Sequence, residues 1–250
     1  MPIDIAEAAR QLLLAREEHQ RIILADNLRP SNAGEAYAIQ EQLGRLLGKA
    51  PLAWKVGAPD ARTEPNAAPI YEMLASPARV AARRMHMIGV EAELAAVFES
   101  PIPARESRYS DAEVLSAVRE VCVAIEVCDS RLSDWQGADD FTKLADHQLN
   151  FALVTGDASR DFARIDYASL EVRTVVNGQL LKQGCGTHAV GNPLNLLAWL
   201  ANHARSRGGI AAGTVVTTGA WLGMHLVQPG DDVLVEFPAI GTARVSFPIE

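Results

Sequence analysis

Lysine is scarce in this sequence. There are four in 250 residues, Lys49, Lys55, Lys143 and Lys182, and the other strong cations are arginines. No basic block occurs and the formal net charge is −8. That excludes a nucleic acid or an anionic membrane as the main partner. The three cysteines, Cys122, Cys128 and Cys185, are odd in number and lack C-x-x-C spacing. Neither a disulfide framework nor a zinc–thiolate site is expected, and the cytoplasm is the expected compartment. No apolar run approaches a membrane span. The start, "MPIDIAEAARQLLLAREEH", is amphipathic and acidic without a basic leader, so no secretory signal is expected. A G-x-S-x-G elbow, a P-loop and H-E-x-x-H are all missing. "GCGTHAVG" precedes a helix and has its third glycine too late for a dinucleotide fingerprint. It reads instead as a loop whose backbone nears a ligand or a neighbouring strand.

What is present is ordinary globular composition, 48% hydrophobic and 22% charged, long enough for one large domain or one domain with a small appendage. Apolar spacing predicts helices from Ile5 to about Gln20 and from Ala33 to Leu47. The second begins with Asn32 and Glu35 at capping-box spacing. Beyond Pro51, "LAWKVGAP", "VEAELAAVF" and "VCVAIEVCDS" read as strands. Ser110 and Glu113 cap a short helix in "VLSAVREV". Asn177-Gly178 is the preferred two-residue turn of a hairpin. Asn192 and Pro193 open a helix that Gly208-Gly209 stops. "TVVTTGA", "DDVLVEF" and "TARVSF" supply later strands. Helices lead and strands dominate afterwards, which is an α+β pattern without regular β-α alternation.

Glu91 and Glu93 sit inside the otherwise apolar run Ile88 to Phe98. On a strand they share one face, and Ala92, Leu94, Ala96 and Phe98 line the other. Adjacent carboxylates repel, and burial disfavours both charges. A hard divalent cation would relieve this, because carboxylate oxygens are its preferred ligands. The plainer reading is the wet face of a half-buried strand. Glu126 is another single acid in an apolar strand. Its plainer role is a salt bridge, with Arg131 as the partner. Three acids on two strands can instead surround one cation and leave positions for water and substrate. A metal-free acid–base pair with separated pKa values also fits Glu91 and Glu93.

The ordered set E-x-E, "AIEVCDSRLSDW", G-x-G followed by "GNPLNLLAWLA", and "TTGA" followed by "VQPGDDVLVEF" resembles the 2-keto-4-pentenoate hydratase group of the fumarylacetoacetate hydrolase superfamily. "EAYAIQ", Glu35 to Gln40, resembles that group's start. The resemblance covers nearly the full chain. It implies a mixed-sheet β-roll with a helical N-terminal region over residues 1–50 and a catalytic domain over 51–250. It also implies Mg²⁺ or Mn²⁺ on Glu91, Glu93 and Glu126, with Lys55 near a substrate carboxylate, and a homo-oligomer. Implied activities are hydration, 2-oxo-acid decarboxylation and C–C hydrolysis. A catalytically inactive member that serves as a binding module is a further alternative.

Two departures bear on the reaction. Hydratases of the resembled group usually have an aspartate-containing segment before the E-x-E strand, whereas "PNAAPIYEMLASPARV" has Glu72 and no aspartate. "ADHQLN" stands where they carry "ADNAS", so His147 replaces Asn and the serine position falls on Leu149. Asp146 and His147 are candidates for proton transfer, since histidine titrates near neutral pH; a turn or helix cap is their plainer role. Gly184 and Gly186 are expected in a pocket-lining loop. Thr217, Thr218 and Gly219 are expected to offer hydroxyls or backbone N–H groups to a small 2-oxo acid.

Overall fold

The structure is a computed structural model that describes residues 3–250. In chain order it runs α1 (Ile5–Glu17), α2 (Ala33–Leu47), β1 (Ala53–Gly57), β2 (Asn66–Ile70), β3 (Met73–Ala75), β4 (Ala78–Arg79), β5 (Ile88–Phe98), α3 (Asp111–Ser116), β6 (Val118–Cys128), α4 (Asp140–Ala145), β7 (Asn150–Ser159), β8 (Glu171–Val176), β9 (Gln179–Cys185), α5 (Asn195–Ala204), β10 (Val215–Thr217), β11 (Met224–Val227), β12 (Asp232–Phe237) and β13 (Gly241–Ser246). No helix among the described residues is long and apolar enough to cross a membrane.

The local signals act where the sequence puts them. Asn32 accepts from the Glu35 N–H, and Ser110 forms a reciprocal capping box with Glu113. Asn177 (φ 51°) and Gly178 (φ 78°) turn β8 into β9 with both residues left-handed, as a two-residue hairpin requires. Three expectations shift. "VREV" belongs to β6, which starts at Val118, because a long ladder with β5 outweighs one more helical turn. The Pro193 helix begins at Asn195; Asn192 Oδ1 accepts from Leu194 N and holds a turn before it. Strand β10 ends at Thr217, and Thr218 and Gly219 leave the ladder.

Among the described residues the strands form two sheets. The larger has the order β2-β1-β10-β5-β6-β7-β3, with β11 also paired to β5. It is mixed: β1–β10 and β3–β7 are parallel and the other pairs antiparallel. The smaller has the order β4-β13-β12-β8-β9. Strands β12 and β13 pack on β6 and β7. The expected apolar face of β5, Ala92, Leu94, Ala96 and Phe98, lies in this main core beside Val235, Phe237 and Val245. Helices α1 and α2 carry their own apolar cluster, built on Leu12, Ile39 and Leu43, and close it against Leu132, Leu144 and Ala145. Gln40 of α2 donates to the Leu144 carbonyl at 2.5 Å and the Ala67 carbonyl at 3.3 Å, tying the helices to α4 and β2. The acids stand on the other face of β5, where Ala95 clusters with Ala53 of β1, Val215 of β10 and Ala124 of β6.

Candidate metal centre

Strands β5 and β6 are antiparallel with Glu91 opposite Glu126 and Glu93 opposite Ala124. The three carboxylates therefore share one face of adjacent strands. Lys55 and Thr217 reach the same face through the β1–β10–β5 ladder, where Lys55 pairs with Thr217 and Thr217 with Ala95. Glu93 and Glu126 are fully buried, at 0% exposure, and Glu91 is half-buried.

Each fully buried acid is held by one oxygen only. Glu126 Oε1 accepts from Lys55 Nζ at 2.6 Å and from Asn150 Nδ2 at 3.1 Å. Glu93 Oε2 accepts from the Thr217 hydroxyl and, at 3.0 Å, from the Gly219 N–H. Glu126 Oε2 and Glu93 Oε1 are buried without any partner among the described residues. Buried charged oxygens left unmatched cost several kcal/mol each unless something compensates them. Gly219 has φ +98°, a conformation that suits glycine and that turns its N–H onto Glu93.

The electrostatics follow from this crowding. Burial raises Glu93 well above the usual carboxylate range, and Glu126 and Glu91 add to it. Burial also lifts Glu91, to about 7, with Lys55 opposing and Glu126 reinforcing. Burial pulls the Lys55 ammonium down, but Glu126 and Glu91 outweigh it and hold Lys55 above its ordinary value. Without a cation, burial and mutual repulsion disfavour the charged forms of Glu91 and Glu93. Their donor chemistry fits a hard divalent ion: carboxylate oxygens converging from two rigid strands, two of them free. Glu91, Glu126 and the Cys128 thiol bring one ligand atom each within 4.8 Å of one another. For Mg²⁺ or Mn²⁺ the carboxylates are the competent donors and a thiol is not.

The other expected site residues lie in several places. Asp146 is buried and accepts from Arg131 Nε at 2.5 Å, from the Arg131 N–H and from the Ser130 hydroxyl. Arg131 thus pairs with Asp146, while Glu126 pairs with Lys55. His147 is buried with its ring 5.5 Å from that of Tyr71. Burial, then Arg16 and Arg131, hold it well below the usual imidazole range. His147, Gln148 and Leu149 are all left-handed, with φ of 52°, 52° and 63°. Such backbone costs about 1–2 kcal/mol per residue outside glycine. Its product is the Gln148 carbonyl, which accepts from Lys55 Nζ at 3.1 Å.

Thr217 and Thr218 are buried, with hydroxyls on Glu93 and on the Leu94 carbonyl. Gly186 (φ +60°) packs so closely that a Cβ there would lie 1.9 Å from the Ala168 carbonyl oxygen, and a Cβ on Gly184 would meet Thr187. These glycines serve packing against neighbouring chain in this arrangement. Three participants carry no signal in the sequence, and a fourth has a different role from the expected one. Asn150 and the Gln148 carbonyl hold Glu126 and Lys55. Gly219, whose N–H is expected from the sequence to serve a substrate, donates it to Glu93 instead. His188, buried and lowered by that burial, meets the Thr218 carbonyl with Nε2 at 2.8 Å. Only the alternation Glu126-x-Cys128 carried a signal for a further side chain on this face.

The chain is similar to known proteins over most of its length. Residues 50–247 match the family described as Fumarylacetoacetate (FAA) hydrolase C-terminal. A 2-keto-4-pentenoate hydratase of Paraburkholderia phymatum is 33% identical over 159 residues, 63% of this chain and 60% of that protein. A 4-oxalocrotonate decarboxylase of Pseudomonas putida is 31% identical over 159 residues, 63% of this chain and 59% of that protein. In these matches the chain spans about 60% of the relatives' length. In fold, the chain is similar to 4-oxalocrotonate decarboxylase from Pseudomonas putida G7 complexed with magnesium and adipate. The TM-score is 0.85, with 24% identity and 97% of each chain covered.

Proposed function

The chain belongs to the fumarylacetoacetate hydrolase family, and on that premise we propose that it is a divalent-metal-dependent lyase of small 2-oxo or 2-hydroxy-dienoic acids, acting as a hydro-lyase. The observation that carries this reading is the pair of buried carboxylates, Glu93 and Glu126, each with one oxygen fixed by the protein and one free. With Glu91 they form the ligand set for Mg²⁺ or Mn²⁺. A bound cation supplies Lewis acidity, drawing electron density from a chelating 2-oxo acid and steadying negative charge on its 2-oxygen.

The protein's own groups do the rest. An ammonium has three donors, and Lys55 directs two of them to Glu126 and Gln148. The third is available to a substrate carboxylate, which Lys55 neutralises and orients. Thr217 and Gly219 fix the Glu93 carboxylate, and Asn150 fixes Glu126, so neither ligand must reorganise during turnover. Thr218, Gly184 and Gly186 shape the surrounding loops. Asp146 and His147 act as positioning residues: they open the left-handed turn that aims the Gln148 carbonyl at Lys55.

The protein works in this reading as a cytoplasmic homo-oligomer with no nucleic-acid or membrane partner. Leu180 and Leu181, 54% and 46% exposed on the edge strand β9, support self-association. The helical region up to residue 50 packs beside the catalytic domain, residues 51–250.

Decarboxylation is the second reading, favoured by the decarboxylase relative at 31% identity against 33% for the hydratase. The two reactions share the metal and differ in carbon balance. Hydration adds water and keeps every carbon, whereas decarboxylation releases one carboxylate carbon as CO₂. The test incubates the Mg²⁺-loaded enzyme with 2-hydroxypenta-2,4-dienoate and, separately, with 4-oxalocrotonate, following dienol absorbance and CO₂. Loss of the dienol without CO₂ is the expected result. CO₂ from 4-oxalocrotonate alone would replace the hydro-lyase assignment with the decarboxylase one.

A further inference from the structure

On the reading of Glu91 and Glu126 as ligands of a hard cation, we propose that Cys128 gives the same centre a second donor set, Glu91–Glu126–Cys128, which captures zinc-class cations in place of the working metal. Cys128 follows Glu126 by two residues on β6 and so presents its side chain on the same face. One ligand atom from each of the three residues lies within 4.8 Å of the others. Glu126 Oε2, buried and unpartnered, is the oxygen free to join such a set.

The strand opposite makes room for the sulfur. Cys128 pairs with Gly89, which has no side chain. A Cβ built on Gly89 would meet Met224 Sδ at 2.7 Å and Cys128 Cβ at 3.0 Å. Met224 is itself in register with Glu91. The thiol and a thioether thus converge beside two carboxylates, at the end of the centre away from Glu93. Glu93 is not among these three residues, and its Oε2 is taken by Thr217 and Gly219.

The chemistry separates the two sets. Mg²⁺ and Mn²⁺ prefer oxygen and gain little from sulfur, whereas Zn²⁺, Co²⁺ and Cd²⁺ accept thiolate readily. As the metal–sulfur bond forms, the Cys128 proton passes to solvent, and no oxidant or reductant is involved. A zinc ion drawn to the thiol end has exchanged Glu93 for sulfur. Zinc therefore occupies the centre and blocks it, while the oxygen-only set remains that of the working cation.

Cobalt reports the sulfur directly. Protein stripped with a chelator is titrated with Co²⁺, with Zn²⁺ and with Mg²⁺, in wild type, Cys128→Ser and Cys128→Ala. Wild type is expected to develop a near-ultraviolet sulfur-to-cobalt charge-transfer band that both variants lack. Zn²⁺ affinity should fall about tenfold or more in the variants, the scale on which losing a metal-supporting group acts, while Mg²⁺ affinity stays within about twofold. Retained Mg²⁺ binding in either variant also reports an intact fold. A wild type that binds Mg²⁺ but gives no charge-transfer band, or variants with unchanged Zn²⁺ affinity, would overturn the proposal alone. A wild type that binds neither Mg²⁺ nor Co²⁺ would remove it together with the metal reading on which it rests.

Discussion

Lys55 Nζ stands 2.6 Å from Glu126 Oε1, with the lysine side chain 14% exposed and the glutamate fully buried. In the absence of a cation this ammonium is the positive charge that bonds directly to the acid cluster. Removing one partner of a buried pair leaves the other uncompensated, a loss of about 3–5 kcal/mol. Lys55→Met is therefore expected to destabilise the metal-free protein by about that amount in urea denaturation. Mg²⁺ should restore part of the loss, because it supplies the missing positive charge. Activity should stay low even when metal is bound, since the substrate carboxylate has lost its counter-charge. Wild-type stability of metal-free Lys55→Met would contradict this role.

Glu93→Gln separates charge from shape. The amide oxygen can still accept from Thr217 and Gly219, and the amide is neutral, like the Glu93 carboxyl that burial and its acidic neighbours hold well above the usual range without metal. The metal-free variant is expected to melt at or above the wild-type temperature. Its kcat should fall by about a hundredfold or more, the scale of losing one pre-organised electrostatic group. Calorimetry and a steady-state assay on one preparation check both halves. Full turnover with unchanged metal content would remove Glu93 from the centre.

The acids also set a pH dependence. Glu91 titrates at about 7 in the folded, metal-free protein, against an ordinary value of 4.5. The folded state then holds the proton more tightly than the unfolded state. This contribution to stability is present below about 4.5 and is lost as pH rises through about 7. A cation displaces the proton, so its apparent affinity increases over the same range. The melting-temperature gain from Mg²⁺ should be larger at pH 8 than at pH 5. A larger gain at pH 5 would mean that the cation does not compete with protons at Glu91.

The sequence made much of this centre legible because strand alternation is local. Glu91, Glu93 and Glu126 interrupt apolar runs with period two, and one register between β5 and β6 brings them together. Caps and turns were legible for the same reason: Asn32, Ser110 and Asn177-Gly178 act within a few residues of themselves. The partners of the acids were not, because they arrive across long separations. Asn150 reaches Glu126 from 24 residues away and Gly219 reaches Glu93 from 126. Arg131 illustrates the limit. Its sequence neighbour Glu126 was the natural partner, but the turn after α4 delivers Asp146 instead. Strand β7, a central member of the larger sheet, carries no clean alternation in "NFALVTGDAS" and is defined by its neighbours on both sides. The left-handed run His147 to Leu149 has no local signal either, since its residues ordinarily avoid that conformation.

The central claim is that Glu91, Glu93 and Glu126 hold one cation. The most direct measurement is anomalous diffraction at the manganese edge from crystals grown with Mn²⁺ and oxalate. One strong peak is expected among the three carboxylates, with Glu126 Oε2 and Glu93 Oε1 among its nearest protein oxygens, at about 2.0–2.2 Å as for small octahedral divalent ions. Oxalate should complete the coordination, with one carboxylate turned towards Lys55. A peak elsewhere in the molecule, or none at saturating Mn²⁺, would contradict it.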